Sequence, residues 1–412
     1  MCAGNYIVYE DKDPMHTPQR VFVRRSRDEY MRAPLIFGVS KTTIELYQKS
    51  FGQRYPFSKV DHVMCPDYKF GAMENVGCIT YADSIFFHSK ELSVPDLTWI
   101  VVVIQHELCH MWFGNLVTMD WWEDLWLNEA FATSLSYMAC SLGGPFVEEF
   151  KEESWLHMSG YKRWGLREDM MPSNHKIQAD CPSTDTAESL IDGITYGKGS
   201  SMIKQLIFLI GWETFTNGLK IYFNKHKWGN TVLADFIGAI QDAVNASSLE
   251  NKPDLFDWSK EWIQTKGSNK IWHNYKVEDG KISEFKIKQS PHKYGEELYR
   301  AQSFNIGLYA ADGSLIEKIE NVTLKKERET EIPEMNGKPE PAAILLNCDD
   351  WGFGHFVLDN RSAEVFEKSM GQIKSNIDRA VIMGQLMAMV SQIELAATRL
   401  PSFLEQMMPE QN

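Results

Sequence analysis

The sequence lacks any long apolar run. Its richest stretch, Trp99–Ile104, is six residues long and ends at Gln105, whereas a transmembrane helix needs about 20 consecutive, mainly apolar residues. We therefore predict no membrane span. The first ten residues also lack a basic segment followed by a long apolar one, so we do not expect a secretory signal there.

An excess of positive charge is also missing. The 412 residues include 42 Lys and Arg against 56 Asp and Glu, which gives a formal net charge of −14. Nucleic acids and anionic membranes bind clustered basic side chains, so this balance argues against both as partners. Hydrophobic residues (43%) and charged residues (24%) are close to the averages for globular proteins, which excludes disordered, collagen-like and coiled-coil chains.

Cysteine pairs with a recognisable spacing are absent too. The seven cysteines are odd in number, dispersed and without C-x-x-C spacing, which is typical of a protein in a reducing compartment. Two N-glycosylation triplets, beginning at Asn245 and Asn321, point the other way, but such triplets arise often by chance. We therefore predict a cytoplasmic location.

The chain length predicts two to four domains, and the residue pattern changes along the chain. Residues 1–30 alternate apolar and polar side chains, which predicts two β-strands. Residues 31–267 contain long helical patterns broken by Gly and Pro, and residues 268–360 return to period two, which predicts a small β-sandwich. Residues 361–412 return to a period of 3.6. The predicted fold class is α+β.

The most informative segment extends from Ser93 to Gly114. Ser93 and Asp96 have the spacing of a capping box, and Gly114 suits the position after a helix C-terminus. On the helix predicted between them, His106 and His110 are four residues apart. Their imidazoles therefore project from one face, about one turn apart, and can share a Zn²⁺ ion.

A second predicted helix, residues 124–140, offers a third ligand. It can turn back antiparallel to the first helix and bring Glu129 to the metal. Three protein ligands leave a fourth position for water, which is typical of catalytic rather than structural zinc. Asp124 and Asn128 are candidates to orient the imidazoles, and the spacing does not decide which of them contacts which ring.

Together these motifs resemble a known family. The H-E-x-x-H motif at residues 106–110, the Trp-Leu-Asn-Glu sequence that ends at Glu129 and the segment Gly71–Asn75 are similar to those of gluzincin zinc aminopeptidases of the puromycin-sensitive, alanyl and glutamyl type. The likeness continues through Tyr196-Gly-Lys-Gly and covers nearly the whole chain. It implies a thermolysin-like catalytic domain at 31–267, followed by the β-sandwich and the start of a helical domain.

The resemblance also implies a role for each motif. It implies one Zn²⁺ per chain, held by His106, His110 and Glu129. It implies hydrolysis of the N-terminal residue of peptides by a zinc-activated water, with Glu107 as general base and Tyr196 as oxyanion stabiliser.

The segment that precedes the zinc motif is implied to bind substrate. Its residues are Gly71, Ala72, Met73, Glu74 and Asn75. They lie between two predicted strands and should form an irregular sheet edge, to which a peptide can add as a strand. Glu74 is implied to pair with the free α-ammonium group, which would restrict the substrates to peptides with a free N-terminus.

Departures from the family pattern leave alternatives open. Gly197 stands where glutamate is common after the tyrosine, and residues 1–30 correspond only to the last strands of the family's N-terminal β domain. The sequence is therefore expected to be truncated at both ends. A non-catalytic peptide-binding paralogue or fragment stays open, as does an epoxide hydrolase of the leukotriene type. The intact Gly71–Asn75 motif argues against the latter.

Overall fold

The structure is a computed structural model, and it describes residues 2–87, 89, 91–142 and 147–406. Helices and strands are both abundant, so the predicted α+β class is confirmed at that level. In the described ranges, no helix is both long enough and apolar enough to cross a bilayer. The final part of the predicted 361–412 segment, residues 407–412, lies outside the described residues.

The elements are numbered along the chain. The helices are α1 (Ala33–Phe51), α2 (Val94–Cys109), α3 (Leu125–Leu142), α4 (Val147–Asp169), α5 (Thr184–Ser189), α6 (Gly199–Ile210), α7 (Trp212–His226), α8 (Leu233–Ala246), α9 (Leu255–Trp262), α10 (Asn360–Ser369), α11 (Asn376–Ser391) and α12 (Leu400–Glu405). The strands are β1 (Tyr6–Asp11), β2 (Gln19–Arg24), β3 (Val60–Cys65), β4 (Ala72–Met73), β5 (Ile79–Ala82), β6 (Thr118–Met119), β7 (Asn230–Thr231), β8 (Asn269–Glu278), β9 (Lys281–Pro291), β10 (Gln302–Tyr309), β11 (Leu315–Leu324), β12 (Glu329–Glu331), β13 (Ala343–Cys348) and β14 (His355–Phe356).

The described residues form two compact units. The first unit comprises Met1–Trp155 and Trp212–Phe256, and the second comprises Leu156–Gly211 and Asp257–Asn412. Each unit is therefore made from two separate stretches of the chain. The domain boundaries that the sequence indicates follow the chain order, and they stay a prediction.

The first unit contains a five-stranded sheet in the order β1-β2-β3-β5-β4. Strands β2, β3 and β5 run parallel, and β4 lies at the edge, antiparallel to β5. The two strands predicted in residues 1–30 are present as β1 and β2, and β2 is hydrogen-bonded directly to β3. The Gly71–Asn75 segment thus contains the edge strand of this sheet, as the sequence predicts.

The helix of the zinc motif begins as the sequence predicts. Ser93 Oγ accepts a hydrogen bond from Asp96 N (3.3 Å), and the Asp96 carboxylate accepts one from Ser93 N (3.1 Å). The two residues thus form the predicted capping box. Pro95 occupies the first turn, where its missing N–H leaves no intrahelical partner unsatisfied.

The end of this helix differs from the prediction. Helix α2 ends at Cys109, so Gly114 is not the residue that follows its C-terminus. The next amides turn back more tightly: Met111 N donates to Leu108 O, and Trp112 N donates to Cys109 O. These hydrogen bonds join residues three apart instead of four, so the α-helix ends before Gly114, the residue from which its end is predicted. His110 keeps helical backbone angles.

Aromatic packing fixes the segment that follows His110. The ring of Trp112 contacts Phe51 edge-on with the ring centroids 5.5 Å apart, and Phe113 contacts Phe223 at 4.6 Å and stacks on Phe131 at 3.8 Å. These rings belong to α1, α3 and α7 and are buried. Burial of such large apolar surfaces makes the zinc-motif segment part of the core of the first unit.

The second unit contains seven strands in residues 268–360, arranged in two sheets. The orders are β11-β10-β13 and β12-β9-β8-β14. Side chains of both sheets share one hydrophobic core, which includes Ile271, Phe285, Phe304, Ile306 and Leu346. A separate core holds helices α10 and α11 against β13. The predicted strands in 268–360 and helices after residue 361 are therefore present.

Candidate metal centre

Three side chains that the sequence singles out as metal ligands converge in the first unit. The Nε2 atoms of His106 and His110 are 2.9 Å apart, and Glu129 Oε2 lies 3.4 Å from the first and 3.5 Å from the second. Ligand atoms about 2.0–2.1 Å from a tetrahedral zinc lie about 3.3 Å from one another. Two imidazole nitrogens and a carboxylate oxygen at this spacing fit a zinc ion.

The tautomer of His110 also suits a metal ligand. Its Nδ1 donates to Phe113 O and to Asn128 Oδ1, both at 3.1 Å. In the neutral ring the proton is therefore held on Nδ1, and the Nε2 lone pair is directed to the cluster, as in other metal-binding histidines. Of the two orienting candidates, Asn128 contacts the ring of His110. Asp124 Oδ2 accepts a hydrogen bond from Leu233 N (2.9 Å).

Asn128 can take this position only because Gly114 has no side chain. A Cβ atom at Gly114 would lie 2.2 Å from Asn128 Oδ1, and the backbone φ of Gly114 is +110°. Both facts favour glycine. Gly114, predicted as a helix terminator, instead makes room for the residue that orients His110.

Thr133 is a partner that sequence reasoning missed. Its Oγ1 lies 3.4 Å from His106 Nδ1. Thr133 follows Glu129 by four residues on α3, and residues at this spacing lie on the same face of a helix. The sequence could therefore have indicated that Thr133 lies near the metal ligands. The spacing alone does not separate an orienting hydroxyl from ordinary packing on the same face.

The charges of the cluster act strongly on its imidazoles. Burial opposes a positive charge on His110 and would lower its pKa. The nearby carboxylates, mainly those of Glu74 and Glu129, outweigh burial and raise the pKa of His110 to about 10. Burial is the largest effect on His106 and lowers its pKa. Burial also opposes the charge of Glu129, yet the imidazoles lower the pKa of this carboxyl. The site therefore favours a cation where the imidazoles meet, and metal binding would release a proton.

Glu107 lies beside the ligands and is buried, with 5% of its surface exposed. Its Oε2 has no hydrogen-bond partner among the residues that the structure describes. Burial, aided by the nearby carboxylates of Glu74 and Glu129, holds the pKa of Glu107 well above its ordinary value. A buried carboxylate oxygen without a partner is unfavourable unless a ligand or water completes it, so this atom marks a reactive position.

The predicted substrate segment reaches the same cluster through two asparagines. Asn128 Nδ2 lies 3.3 Å from Glu74 Oε1 and 3.3 Å from Glu129 Oε1, and Asn115 Nδ2 donates to Glu74 O (2.8 Å). Asn75 instead bonds to Thr80 Oγ1 (3.1 Å). Glu74 is thus held near the ligands, while the Asn75 side chain stabilises the turn between β4 and β5.

Tyr196 lies in the second unit, within a π-helical turn, Ile194–Lys198. Its ring stacks on Trp164 with the centroids 6.3 Å apart. The unusual Gly197 has a physical reason: a Cβ atom there would lie 2.2 Å from Tyr161 O. Glutamate cannot fit at this position in this chain, because the turn packs directly against the α4 backbone.

A second group of ligand-type side chains differs from the first. Cys348, Asp349 and Asp378 also lie close together. Their oxygens, however, already accept hydrogen bonds from donors: Lys318 Nζ is 2.7 Å from Asp349 Oδ2, and Tyr309 OH donates to Asp378 Oδ2 (2.8 Å). This group is therefore a satisfied polar network rather than a cation site.

Comparison with known proteins gives consistent matches. The sequence profile of the peptidase family M1 domain matches residues 36–260. Aminopeptidase N of Streptomyces lividans is 37% identical over 400 residues, which are 94% of this chain and 45% of that protein. Tricorn protease-interacting factor F2 of Thermoplasma acidophilum is 28% identical over 354 residues, which are 85% of this chain and 41% of that protein.

A third relative matches a shorter part of the chain. Aminopeptidase 2, mitochondrial, of Saccharomyces cerevisiae is 35% identical over 237 residues, which are 57% of this chain and 24% of that protein. The chain thus spans less than half the length of each of these three relatives.

Proposed function

Since the chain belongs to peptidase family M1, we propose that it carries the catalytic core of a zinc-dependent aminopeptidase. The reaction is hydrolysis of the N-terminal residue from peptides. The proposed fold has a thermolysin-like catalytic domain within residues 31–267, followed by a β-sandwich over 268–360 and by helices.

One observation carries this proposal. Two imidazole nitrogens and one carboxylate oxygen converge within 3.5 Å of one another, beside the buried Glu107. This donor set, with its two nitrogens and one oxygen, is that of catalytic zinc, and a fourth position is left for water or substrate. The zinc ligands proposed are His106, His110 and Glu129.

Glu107 is proposed as the general base. When bound, zinc would polarise the scissile carbonyl and lower the pKa of water, so that a nucleophile is available at neutral pH. Glu107 then accepts the water proton on Oε2, the oxygen without a partner, and returns it to the leaving amine. Tyr196 is proposed to donate its hydroxyl proton in a hydrogen bond to the oxyanion; the family resemblance supports this role.

Glu74 is proposed to recognise the substrate's α-ammonium group. Its carboxylate is partly buried and is held by Asn128, so it presents a negative charge at the edge strand β4. A cation that pairs with this carboxylate places the adjacent peptide bond at a defined distance from the ligands. An acylated or internal amide has no such cation, which explains the restriction to free N-termini.

The test of the proposed function uses purified full chain and an aminoacyl-anilide. We expect release of the anilide product that a chelator abolishes and added zinc restores. If peptides with a free N-terminus bind but no metal-dependent release occurs, the chain is instead a non-catalytic peptide-binding protein and the proposed function is wrong.

Glu74→Gln is expected to reduce kcat/KM for free-amine substrates by about 10–100-fold, because a hydrogen bond to a charged group contributes roughly 1.5–3 kcal/mol. Glutamine keeps the oxygen that Asn128 contacts, so zinc content should not change. The measurement compares an aminoacyl-anilide with its N-acetyl derivative. Asp67→Asn, which removes an exposed charge from the same loop region, is the control. An unchanged preference for the free amine would refute the role of Glu74.

A further inference from the structure

The turn that carries Tyr196 has an unusual backbone shape. Residues Ile194–Lys198 are π-helical, a conformation that is rare and occurs frequently at functional sites. Asp192 caps the turn: its Oδ1 accepts hydrogen bonds from Ile194 N (3.0 Å) and Thr195 N (2.9 Å), and its main-chain oxygen accepts one from Tyr196 N (3.0 Å). Asp192 therefore accepts hydrogen bonds from three successive amides of this turn.

His175 holds Asp192 from the other side. Its Nε2 lies 2.8 Å from Asp192 Oδ2, and its Nδ1 lies 2.8 Å from Lys176 O. A carboxylate and a carbonyl are both acceptors, so both ring nitrogens must donate. Only the doubly protonated imidazolium can make the two bonds at once. The neutral ring would lose one of them, and in either tautomer the Asp192 carboxylate would no longer face a positive charge.

The rest of the turn is held by groups that do not depend on His175. Glu168 Oε2 accepts a hydrogen bond from Gly193 N (2.6 Å), and Glu168 Oε1 accepts one from Trp164 Nε1. Trp164 in turn stacks on Tyr196. Loss of the His175 bond should therefore loosen the turn locally instead of unfolding the unit.

The charges around His175 act in both directions. Burial opposes its charge, and Lys198 does so too, but Asp192 and the Lys176 carbonyl outweigh them and raise the pKa of His175. A raised pKa means that the folded protein binds the proton more tightly than the unfolded chain. This stabilisation is complete below about pH 6.5, the ordinary value for histidine, and is lost as the pH rises through the folded pKa.

We propose that His175, as an imidazolium, is a positioning residue that acts through Asp192 to hold the turn carrying Tyr196. The turn loosens when His175 loses its proton, and the Tyr196 hydroxyl then loses its fixed position. This inference rests on the proposed role of Tyr196 in catalysis. It adds that the position of Tyr196 depends on the protonation of His175, a residue that is not one of the proposed metal ligands.

The direct test is hydrogen exchange of the backbone amides in residues 192–197, measured by mass spectrometry on the full chain and corrected for the intrinsic pH dependence. Protection of this turn, relative to helix α8, is expected to fall as the pH rises above about 6.5. For each pH unit by which the pKa of His175 in the folded protein exceeds about 6.5, the protection factor is expected to fall about tenfold. Constant protection from pH 6 to 9 would overturn the proposal.

Asp192→Asn is the matched variant. The asparagine oxygen can still cap Ile194 and Thr195, and its amide can donate to the neutral His175 Nε2. The turn should therefore stay protected from pH 6 to 9, and the loss of protection at high pH should disappear. A fall in protection equal to that of the unaltered chain would contradict the role of the His175–Asp192 pair.

A double-mutant cycle connects the turn to catalysis. His175→Gln is expected to lower kcat about tenfold with KM unchanged, and to have no further effect in the Tyr196→Phe background. Equal effects in both backgrounds would show that His175 does not act through Tyr196. If the unaltered chain with zinc releases no product, the proposed function fails, while the exchange experiment still decides whether His175 holds the turn.

Discussion

Glu107→Gln is expected to reduce turnover of an aminoacyl-anilide by about 10²–10⁴-fold, the range attributed to a general acid–base group. Glutamine has nearly the same shape but cannot accept the water proton. Because Glu107 is buried with one oxygen unpaired among the described residues, replacing it with a neutral side chain should not lower the thermal stability. Zinc content should stay the same, since Glu107 is not one of the converging ligands.

The measurement is kcat together with zinc content and the melting temperature of the same preparation. Glu123→Gln is the control, because Glu123 is exposed and lies in the turn that precedes α3. The control should retain full activity. A Glu107→Gln protein that turns over at the unaltered rate would exclude Glu107 as the base, and one that has lost its zinc would instead indicate a role in metal binding.

Tyr196→Phe is expected to lower kcat by about 10²–10³-fold with little change in KM. A single oxyanion donor contributes about 2.7–4 kcal/mol to the transition state and little to substrate binding, because charge on the oxygen develops only during reaction. The ring that stacks on Trp164 is retained, so the turn should keep its structure. Steady-state kinetics at several substrate concentrations separate the two constants.

The control for Tyr196→Phe is Tyr299→Phe, which removes a hydroxyl from a tyrosine that is 37% exposed. It should leave both constants unchanged. If Tyr196→Phe raises KM and leaves kcat unaltered, the hydroxyl contributes to substrate binding in the ground state. The oxyanion role would then be wrong.

Local patterns account for much of the fold that the sequence predicts. The capping box at Ser93, the four-residue spacing of His106 and His110, and the apolar period of the following helix are local features, so they predict α2 and α3 directly. The approach of Glu129 is predicted from a second helix that can turn back antiparallel to the first, and residues 110–124 join the two helices in the structure. The edge position of Ala72–Met73 follows from flanking strand patterns and glycines.

Other features depend on contacts between residues far apart in the chain. The early end of α2 results from tight backbone turns after Leu108, and the role of Gly114 depends on Asn128, which is brought near only by the fold. Likewise, the two stretches that form each unit are joined by tertiary packing, which no local pattern reveals. The His175–Asp192 contact spans a loop and an α-helix and carries no sequence motif.

The central claim is that His106, His110 and Glu129 hold one catalytic zinc ion, and metal analysis tests it most directly. After dialysis against metal-free buffer, the full chain is expected to retain close to one zinc per molecule, and Glu129→Gln is expected to retain almost none while staying folded by circular dichroism. An unaltered chain that binds no zinc when it is supplied, or a Glu129→Gln chain that retains a full equivalent, would contradict the account.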